Sequence, residues 1–516
     1  MNAKRARFSW FLVTLIVLSA SAVAVELYAM RSGPGIRGDS VRYVMGARNL
    51  LEGKGFSRLS GGGEVYPETG FAPLLSFVLA GLEAVGIDMY SGARILNALL
   101  FGGSIFLVGS MIATASRSPW AGLLGSALVA LAPNVVRWHA WLMSEALFIF
   151  LTLLSLFALV NHIRTGRMAA LYLAALSAGL AAIARYVGVS LVPVGALGIF
   201  LWGEGTRRDR LGRAAIFSAL AVSPFILWMV RNQIVGGQGL ANRELRFHSF
   251  SPEMLRVFLF EPTVWVIPRF LVLPRALRGA LALVLLCVGP AVFVRDSLRD
   301  SSPREAGKRE DGAALPWLLM ILIPGYVSVL IFNSLLLDAG TTHDGILRYL
   351  APLYVLVVLL ELSVLSRVLS AGKALRPVYY VAGVWVATLL VVGALETRPI
   401  VVQSVQETSF ARLREEWEDF PAALGDAPWI ITDNPEMVYY LTDRPAYMMP
   451  IRYDVYRQVF REDYPDQVEL ARDRLVAGAA LVVFGEPTTD ESDALELLGV
   501  TALRTFDGAT VYGYPE

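Results

Sequence analysis

Long apolar segments, separated by shorter polar loops, make up most of the chain before residue 396. An α-helix needs about 20 apolar residues to cross a bilayer, and many of these segments approach or exceed that length. With loose boundaries, the candidate spans are 8–29, 95–115, 119–134, 143–161, 168–183, 187–203, 213–232, 278–294, 316–335, 347–365 and 377–395. The pattern predicts a mainly α, polytopic membrane protein with about eleven transmembrane helices.

A further apolar stretch, 71–87, is short and carries Glu83, so its length does not decide whether it crosses the membrane. The loops decide, because Lys and Arg residues of short loops stay on the cytoplasmic side. If 71–87 does not cross, every short basic loop falls on the side of the N-terminus. If it crosses, all basic loops except the N-terminal tail fall outside. We therefore predict that 71–87 lies along or dips into the outer face, and that loop 30–94 and tail 396–516 are extracytoplasmic.

The tail has a different pattern from the rest of the chain. Short apolar runs of β type, such as "LVVFGEP", alternate with polar helical runs such as "DESDALELLG", and the Asp-Gly of "TFDGATVYGY" indicates a hairpin. We predict a small extracytoplasmic α/β domain over 396–516. It follows a transmembrane domain over 1–395, whose first outer loop, 30–94, carries juxtamembrane helices.

Composition supports a membrane protein and narrows its chemistry. The chain has 516 residues, of which 55% are hydrophobic and only 17% are charged, and its mean hydropathy is +0.54. The formal net charge of +1 gives no indication of nucleic-acid binding. Cys287 is the single cysteine, so no intrachain disulfide can form. The segment 8–29 follows a basic N-terminus, as in a signal peptide, but its length favours an uncleaved anchor over cleavage.

The stretch "GDSVRYVMGARNLLEGKG" after the first span reads as a short amphipathic helix. Asp39 or Ser40 can cap its N-terminus, and Gly53 can adopt the left-handed conformation that ends a helix. This helix places an aspartate at the outer face of an apolar protein.

Other polar side chains collect at the same predicted face, at the ends of apolar helices, where charges are costly and often functional. They are Glu68, Glu145, Arg185, Tyr186, Arg231, Asn232, His343, Asp344, Arg348 and Tyr349. Carboxylates can act as general bases and arginines can bind phosphate through paired hydrogen bonds. Structural alternatives are open for each residue: Asp39 as a helix cap, the arginines as snorkelling side chains, and the nearby tryptophans as an interfacial belt.

The ordered set of outer segments resembles the GT-C glycosyltransferases, in the group that includes protein O-mannosyltransferases and the lipid A aminoarabinose transferase. The segments that carry the resemblance are "GDSVRYVMGARNLLEGKGF", "YPETGFAPLL", "GIDMYSGARILNALLFG", "WLMSEALF", "GLAAIARYVGVSLVP", "PFILWMVRN" and "RYLAPLYVL". The resemblance covers most of 1–395, whereas the tail matches only in type.

The resemblance implies that a sugar on a polyprenyl phosphate enters from the lipid and that an acceptor hydroxyl attacks its anomeric carbon. It implies that Asp39 is the catalytic base, and that Glu145 and Glu68 orient the acceptor or share that role. The residues expected to neutralise the leaving phosphate, or to assist, are Arg348, Arg231, Arg185, Tyr349 and His343. We expect no metal and no other cofactor.

The expected location is the plasma (inner) membrane, and the expected partners are membrane lipids, a polyprenyl-phosphate-linked donor and a lipid, polysaccharide or protein acceptor. A transporter or flippase of lipid-linked saccharides is the alternative function, since it would use the same arginines without a base. A third possibility is a scaffold whose outer tail binds a partner.

Overall fold

The computed structural model describes residues 2–236, 247, 252–299, 313–336, 343–370, 376–405, 410–454 and 459–514. Helices dominate the chain up to residue 402. They are α1 Asn2–Ala29, α2 Gly38–Leu51, α3 Leu74–Ala84, α4 Met89–Ser116, α5 Pro119–Ala130, α6 Pro133–Ala140, α7 Glu145–Thr165, α8 Met168–Ala184, α9 Leu191–Trp202, α10 Arg207–Gly236, α11 Pro252–Val264, α12 Arg275–Arg299, α13 Ala314–Leu336, α14 His343–Ser370 and α15 Arg376–Val402. A 3₁₀ helix, Tyr186–Ser190, precedes α9.

The predicted polytopic helical architecture is confirmed. In the described part of the chain, 8 helices are long and apolar enough to cross a bilayer, or 9 if the bent pair α5 and α6 is one span. Every predicted span coincides with a helix, but those at 168–183 and 187–203 are apolar helices of 17 residues or fewer. The predicted total of eleven therefore requires these two shorter helices to cross as well.

Helix α3 lies inside the ambiguous stretch 71–87 and has only 11 residues. At about 1.5 Å per residue it is roughly half as long as the hydrocarbon core is thick. It packs against α2, and the Ser76 hydroxyl donates to the Tyr43 carbonyl at 2.9 Å. This agrees with the prediction that 71–87 does not cross the membrane. A short hairpin, β1 Ser57–Leu59 with β2 Val65–Pro67, connects the two helices.

A backbone bridge ties the first outer loop to the connection between α6 and α7. The Gly35 amide donates to the Ala140 carbonyl at 3.0 Å, and the Leu142 amide donates to the Gly35 carbonyl at 2.9 Å. Only glycine fits at position 35, since a Cβ there would lie 2.6 Å from the Trp141 ring. The bridge holds the start of α2 beside the start of α7.

The tail contains the predicted mixture of strands and helices. The elements are α16 Phe410–Glu416, α17 Phe420–Ala423, β3 Ile430–Thr432, α18 Pro435–Thr442, β4 Tyr447–Met448, β5 Tyr453–Asp454, β6 Val459–Phe460, α19 Tyr464–Val476, β7 Ala480–Phe484, α20 Thr489–Leu498, β8 Thr501–Phe506 and β9 Ala509–Gly513. The main sheet has the strand order β4-β3-β7-β9-β8. Parallel pairs join β3 to β4 and β7, and antiparallel pairs join β9 to β7 and β8. The predicted Asp-Gly hairpin is the β8–β9 turn, where Gly508 has φ +97.

The tail packs directly on the first outer loop. Helix α18 lies against α2, where Arg42 pairs with Glu436 at 2.8 Å and Arg48 pairs with Asp443 at 2.8 Å. The boundary at 395/396 stays a prediction, and α15 runs beyond it to Val402.

We predict that Asp433→Asn makes the tail more stable at neutral pH. Burial raises the pKa of Asp433 to about 6. The folded state holds this proton to higher pH than the unfolded chain does. The contribution of the protonated Asp433 carboxyl to the free energy of unfolding is therefore fully present below about pH 4 and is lost as pH rises through about 6. Asparagine keeps the acceptor that Asp433 Oδ1 offers to the Phe484 amide at 3.0 Å. The expected gain at pH 7.5 is about 1–2 kcal/mol, discounted for partial exposure.

Thermal unfolding of the purified protein at pH 4.5 and 7.5, followed by tryptophan fluorescence, measures this effect. Asp426→Asn, at an exposed position of the same tail, is the matched control. A pH dependence that is the same in wild type and in Asp433→Asn would show that this carboxyl does not contribute.

Candidate active site

Asp39 lies in the first turn of α2, and its carboxylate points away from the helix backbone. The Arg37 amide donates to Ser40 Oγ at 3.1 Å, so Ser40 and not Asp39 provides the capping interaction. Asp39 Oδ2 instead accepts from Arg348 Nη1 at 2.5 Å. Among the described residues, Oδ1 has no hydrogen-bond partner, and the side chain is 35% exposed. The cap alternative for Asp39 is therefore wrong, because the ion pair with α14 determines where its carboxylate lies.

Glu145 is the first residue of α7 and is completely buried. Its Oε1 accepts from Arg348 Nε at 2.7 Å and also from Arg185 Nη1. Within the described part of the chain, its Oε2 has no partner. Asp39, Arg348, Glu145 and Arg185 thus form one continuous chain of ion pairs, which we call the charge relay. It contains two carboxylates and two guanidinium groups, so its formal charge is zero.

Aromatic side chains enclose this charge relay. The Arg185 guanidinium lies over the Tyr349 ring at 5.0 Å, and Arg348 lies 5.7 Å from the Trp138 ring. The Tyr43 hydroxyl is hydrogen-bonded to Ser144 Oγ at 3.1 Å. Burial, followed by the Asp39 carboxylate, raises the pKa of Tyr43, so this phenol stays protonated at neutral pH.

Sequence reasoning assigned Trp138 and Trp141 to an interfacial belt and gave Tyr43 no role in the site. Trp138 and Trp141 are 0% and 1% exposed, so they are not part of an interfacial belt. They lie under guanidinium groups instead, since Arg37 is 4.4 Å from the Trp141 ring. The sequence indicated Tyr43 only as part of an amphipathic helix. Its position four residues after Asp39, which puts both side chains on one face of α2, was the feature that could have identified it.

Glu68 and Arg231 form a neighbouring group that does not join the charge relay. Arg231 Nη1 donates to the Glu68 carbonyl at 2.6 Å and Nη2 to the Phe56 carbonyl at 2.7 Å, so Arg231 binds the backbone of the first outer loop. Glu68 Oε1 accepts from the Gly70 amide at 2.8 Å.

Arg42 lies between the two groups. Burial opposes its charge, but Glu436, Glu68 and Asp39 outweigh burial and raise the pKa of Arg42. It therefore links the carboxylates of the first outer loop to the tail.

The remaining predicted residue, His343, is the first residue of α14, and its side chain lies outside the described part of the chain. Among the described residues, no group of three or more His, Cys, Asp or Glu side chains could hold a metal ion.

Comparison with known proteins identifies the architecture. The family model described as dolichyl-phosphate-mannose-protein mannosyltransferase matches residues 42–237. Among curated proteins, no sequence match is found.

Solved structures match over nearly the whole chain. The crystal structure of ArnT from Cupriavidus metallidurans bound to undecaprenyl phosphate has a TM-score of 0.53 and 16% identity, covering 98% of this chain and 99% of ArnT. The apo form has a TM-score of 0.55 and 15% identity, covering 99% and 100%. The arabinofuranosyltransferase AftD from Mycobacteria has a TM-score of 0.55 and 15% identity, covering 97% of this chain but only 41% of AftD.

The predicted resemblance is confirmed by these matches. At identities this low, the structural matches establish the fold alone. The family match is confined to the segment that contains most of α2, Glu145, Arg185 and Arg231. The chain therefore has the GT-C fold, and its residues 42–237 are similar to the dolichyl-phosphate-mannose-protein mannosyltransferases.

Proposed function

We propose that the protein is a glycosyltransferase that moves a sugar from a polyprenyl-phosphate-linked donor to a hydroxyl acceptor at the extracytoplasmic membrane face. The observation that carries the proposal is the convergence of Asp39, Arg348 and Glu145, from three distant helices, next to a partly exposed carboxylate oxygen. The GT-C fold and the mannosyltransferase match support it. The undecaprenyl phosphate bound to ArnT supports the class of donor.

Asp39 is the proposed catalytic base. Its Oδ2 is held by Arg348, which leaves Oδ1 to accept the proton of the acceptor hydroxyl. The hydroxyl oxygen then forms a bond to the anomeric carbon while the bond from that carbon to the phosphate oxygen breaks. The electron pair leaves with the lipid phosphate, and the acceptor proton stays on Asp39 until solvent removes it.

Arg348 is the proposed electrostatic partner of the leaving phosphate. It uses Nε for Glu145 and Nη1 for Asp39, so Nη2 remains for a phosphate oxygen. A guanidinium already fixed at two points loses little entropy when it binds the charge that develops. Arg348 would thus act on both sides of the reaction, by orienting the base and by neutralising the leaving group.

Glu145 and Arg185 fit a positioning role better than contact with substrate. Glu145 is completely buried, and its Oε1 lies between the two arginines. We therefore assign Glu145 to orienting Arg348. The wider predicted roles, with Glu68 toward the acceptor and Arg231, Tyr349 and His343 toward the donor phosphate, stay predictions.

The sidedness of the site is also part of the proposal. The charge relay and the tail lie on the face that the basic loops predict to be extracytoplasmic. Because α18 packs on α2, the tail would be placed to contact an acceptor as it approaches Asp39.

A transfer assay tests the proposal directly. The full chain is reconstituted in liposomes with a panel of polyprenyl phosphates that carry different radiolabelled sugars, together with a cell-envelope extract as acceptor. We expect label from one donor to move to a product that no longer partitions with polyprenyl phosphate. If every labelled sugar stays on its lipid while the lipid-linked sugar crosses the bilayer, the protein is a transporter instead.

A further inference from the structure

A polar cavity lies beside the charge relay, on another face of α14. Its volume is about 740 Å³, and its walls come from α6, α11, α14, α15 and the segment after α11. Three arginines line it, Arg137, Arg256 and Arg269, together with Glu261 and Glu396. A space of this size can hold a lipid headgroup.

The charges of this arginine cavity are only partly balanced by protein groups. Arg269 pairs with Glu261 at 3.2 Å. Among the described residues, no carboxylate lies within ion-pair distance of Arg137 or Arg256. Within that part of the chain, these two guanidinium groups face the cavity without an ion-pair partner, although Glu261 and Glu396 also line it. Guanidinium groups bind phosphate oxygens through paired hydrogen bonds.

A second, apolar space of about 120 Å³ adjoins the arginine cavity and shares Asn134, Trp265 and Arg269 with it. Leu128 and Leu131 line one side of this space, and Leu389 and Leu390 line another. A cationic chamber that opens into an apolar slot matches a ligand with a phosphate at one end and a hydrocarbon chain at the other.

The arginine cavity is separate from the charge relay but shares helix α14 with it. On α14, Leu347 and Leu350 face the cavity, whereas the Arg348 side chain reaches Asp39 and Glu145. Asn134 joins the two regions, because its Nδ2 donates to the Leu347 carbonyl and its Oδ1 accepts from Trp138 Nε1, both at 2.8 Å.

We propose that the arginine cavity binds the phosphate of a second membrane lipid, distinct from the polyprenyl-phosphate donor, with one chain of that lipid in the apolar slot. The arginines of the charge relay already have protein partners, whereas Arg137 and Arg256 have no carboxylate partner among the described residues. The distinction from the donor rests on the proposed function; binding of a phosphate-bearing lipid does not.

Trp265 lines both spaces and provides a local reporter. Phosphatidic acid with brominated acyl chains is titrated into the detergent-purified full chain, and quenching of tryptophan fluorescence is recorded. We expect saturable quenching, of which the part due to Trp265 is lost in Trp265→Phe. In the double variant Arg137→Gln and Arg256→Gln, the dissociation constant should rise at least about 10-fold, since the charge-assisted hydrogen bonds of both guanidinium groups to the phosphate are lost.

Three comparisons make the result decisive. The matched control, Arg207→Gln with Arg208→Gln, replaces two exposed arginines at the far end of α10 and should bind like wild type. Brominated diacylglycerol, which lacks the phosphate, should quench Trp265 much less. Equal quenching by diacylglycerol, or equal affinity in the Arg137/Arg256 variant, would overturn the proposal in favour of unspecific annular lipid.

Competition separates the possible sources of the phosphate. Millimolar inorganic phosphate should not displace the brominated lipid, because it has no chain for the apolar slot. Polyprenyl phosphate at concentrations that inhibit sugar transfer should not displace it either. Displacement by inorganic phosphate would identify a simple anion site, and displacement by polyprenyl phosphate would identify the donor site, so either result contradicts a second lipid.

Discussion

Asp39→Asn should lower the rate of sugar transfer by about 10²–10⁴-fold, the usual contribution of a positioned general base. Asparagine has nearly the same shape and still offers an oxygen to Arg348, but its amide cannot accept the proton of the acceptor hydroxyl. The loss should appear in kcat, because the acceptor substrate can still bind but no base removes the proton from its hydroxyl. The measurement is initial rates with the donor identified in the transfer assay, at several acceptor concentrations.

Two comparisons exclude a trivial loss of folding. Glu52→Gln, an exposed change at the end of the same helix α2, should transfer sugar like wild type. Asp39→Asn should also elute and melt like wild type, since Asp39 is partly exposed and asparagine can still accept the hydrogen bond from Arg348. Transfer at the wild-type rate by a folded Asp39→Asn protein would show that another group removes the proton.

The same variant separates an enzyme from a transporter. A transporter needs the arginines to bind a lipid phosphate, but it needs no base next to them. Asp39→Asn in a transporter would leave the movement of lipid-linked sugar across the bilayer largely intact. A loss of transfer without a loss of donor binding is therefore the pattern expected only of the enzyme.

Apolarity along the sequence was sufficient to predict the membrane architecture, because each span carries its own signal. The hairpin at Gly508 also has a local signal, the Asp-Gly pair that forms its turn. Helices α8 and α9 are less clear because they are short, so their apolar composition does not establish that they cross.

The pairing inside the site could not be predicted in the same way. Asp39 and Arg348 are 309 positions apart, and their contact depends on how α14 packs against the start of α7. The bridge at Gly35, which holds the start of α2 beside the start of α7, depends on backbone geometry. A single glycine in a loop gives little indication of such a bridge. The sequence also left two possible caps for α2, and the choice of Ser40 is what leaves Asp39 to Arg348.

The docking of α18 on α2 was also missed, because ion pairs between distant segments have no periodicity. Arg42 and Arg48 read as the polar face of an amphipathic helix, which normally faces water. In the structure both pair with carboxylates of the tail. The tail therefore contacts the same helix that carries the proposed base.

Removal of Glu145 should have the largest effect on stability. Glu145→Met leaves Arg185 and one side of Arg348 without an anion in a buried region, and breaking a buried ion pair costs about 3–5 kcal/mol. We expect a lower melting temperature for the purified protein, together with loss of sugar transfer. Glu361→Met removes a partly buried carboxyl of α14 that forms no ion pair within the described residues, and it is the control for hydrophobic replacement as such.

The double variant Glu145→Met with Arg185→Met distinguishes positioning from stability alone. Replacing both charges by apolar side chains of similar volume removes the unpaired cation, so most of the lost stability should return. Asp39 and Arg348 remain a neutral pair, yet Arg348 has lost the Nε contact that fixes its orientation. Transfer should therefore stay low although the protein is stable, and kcat should fall more than donor affinity. If transfer returns along with stability, Glu145 has only a structural role and the proposed orientation of Arg348 by Glu145 is wrong.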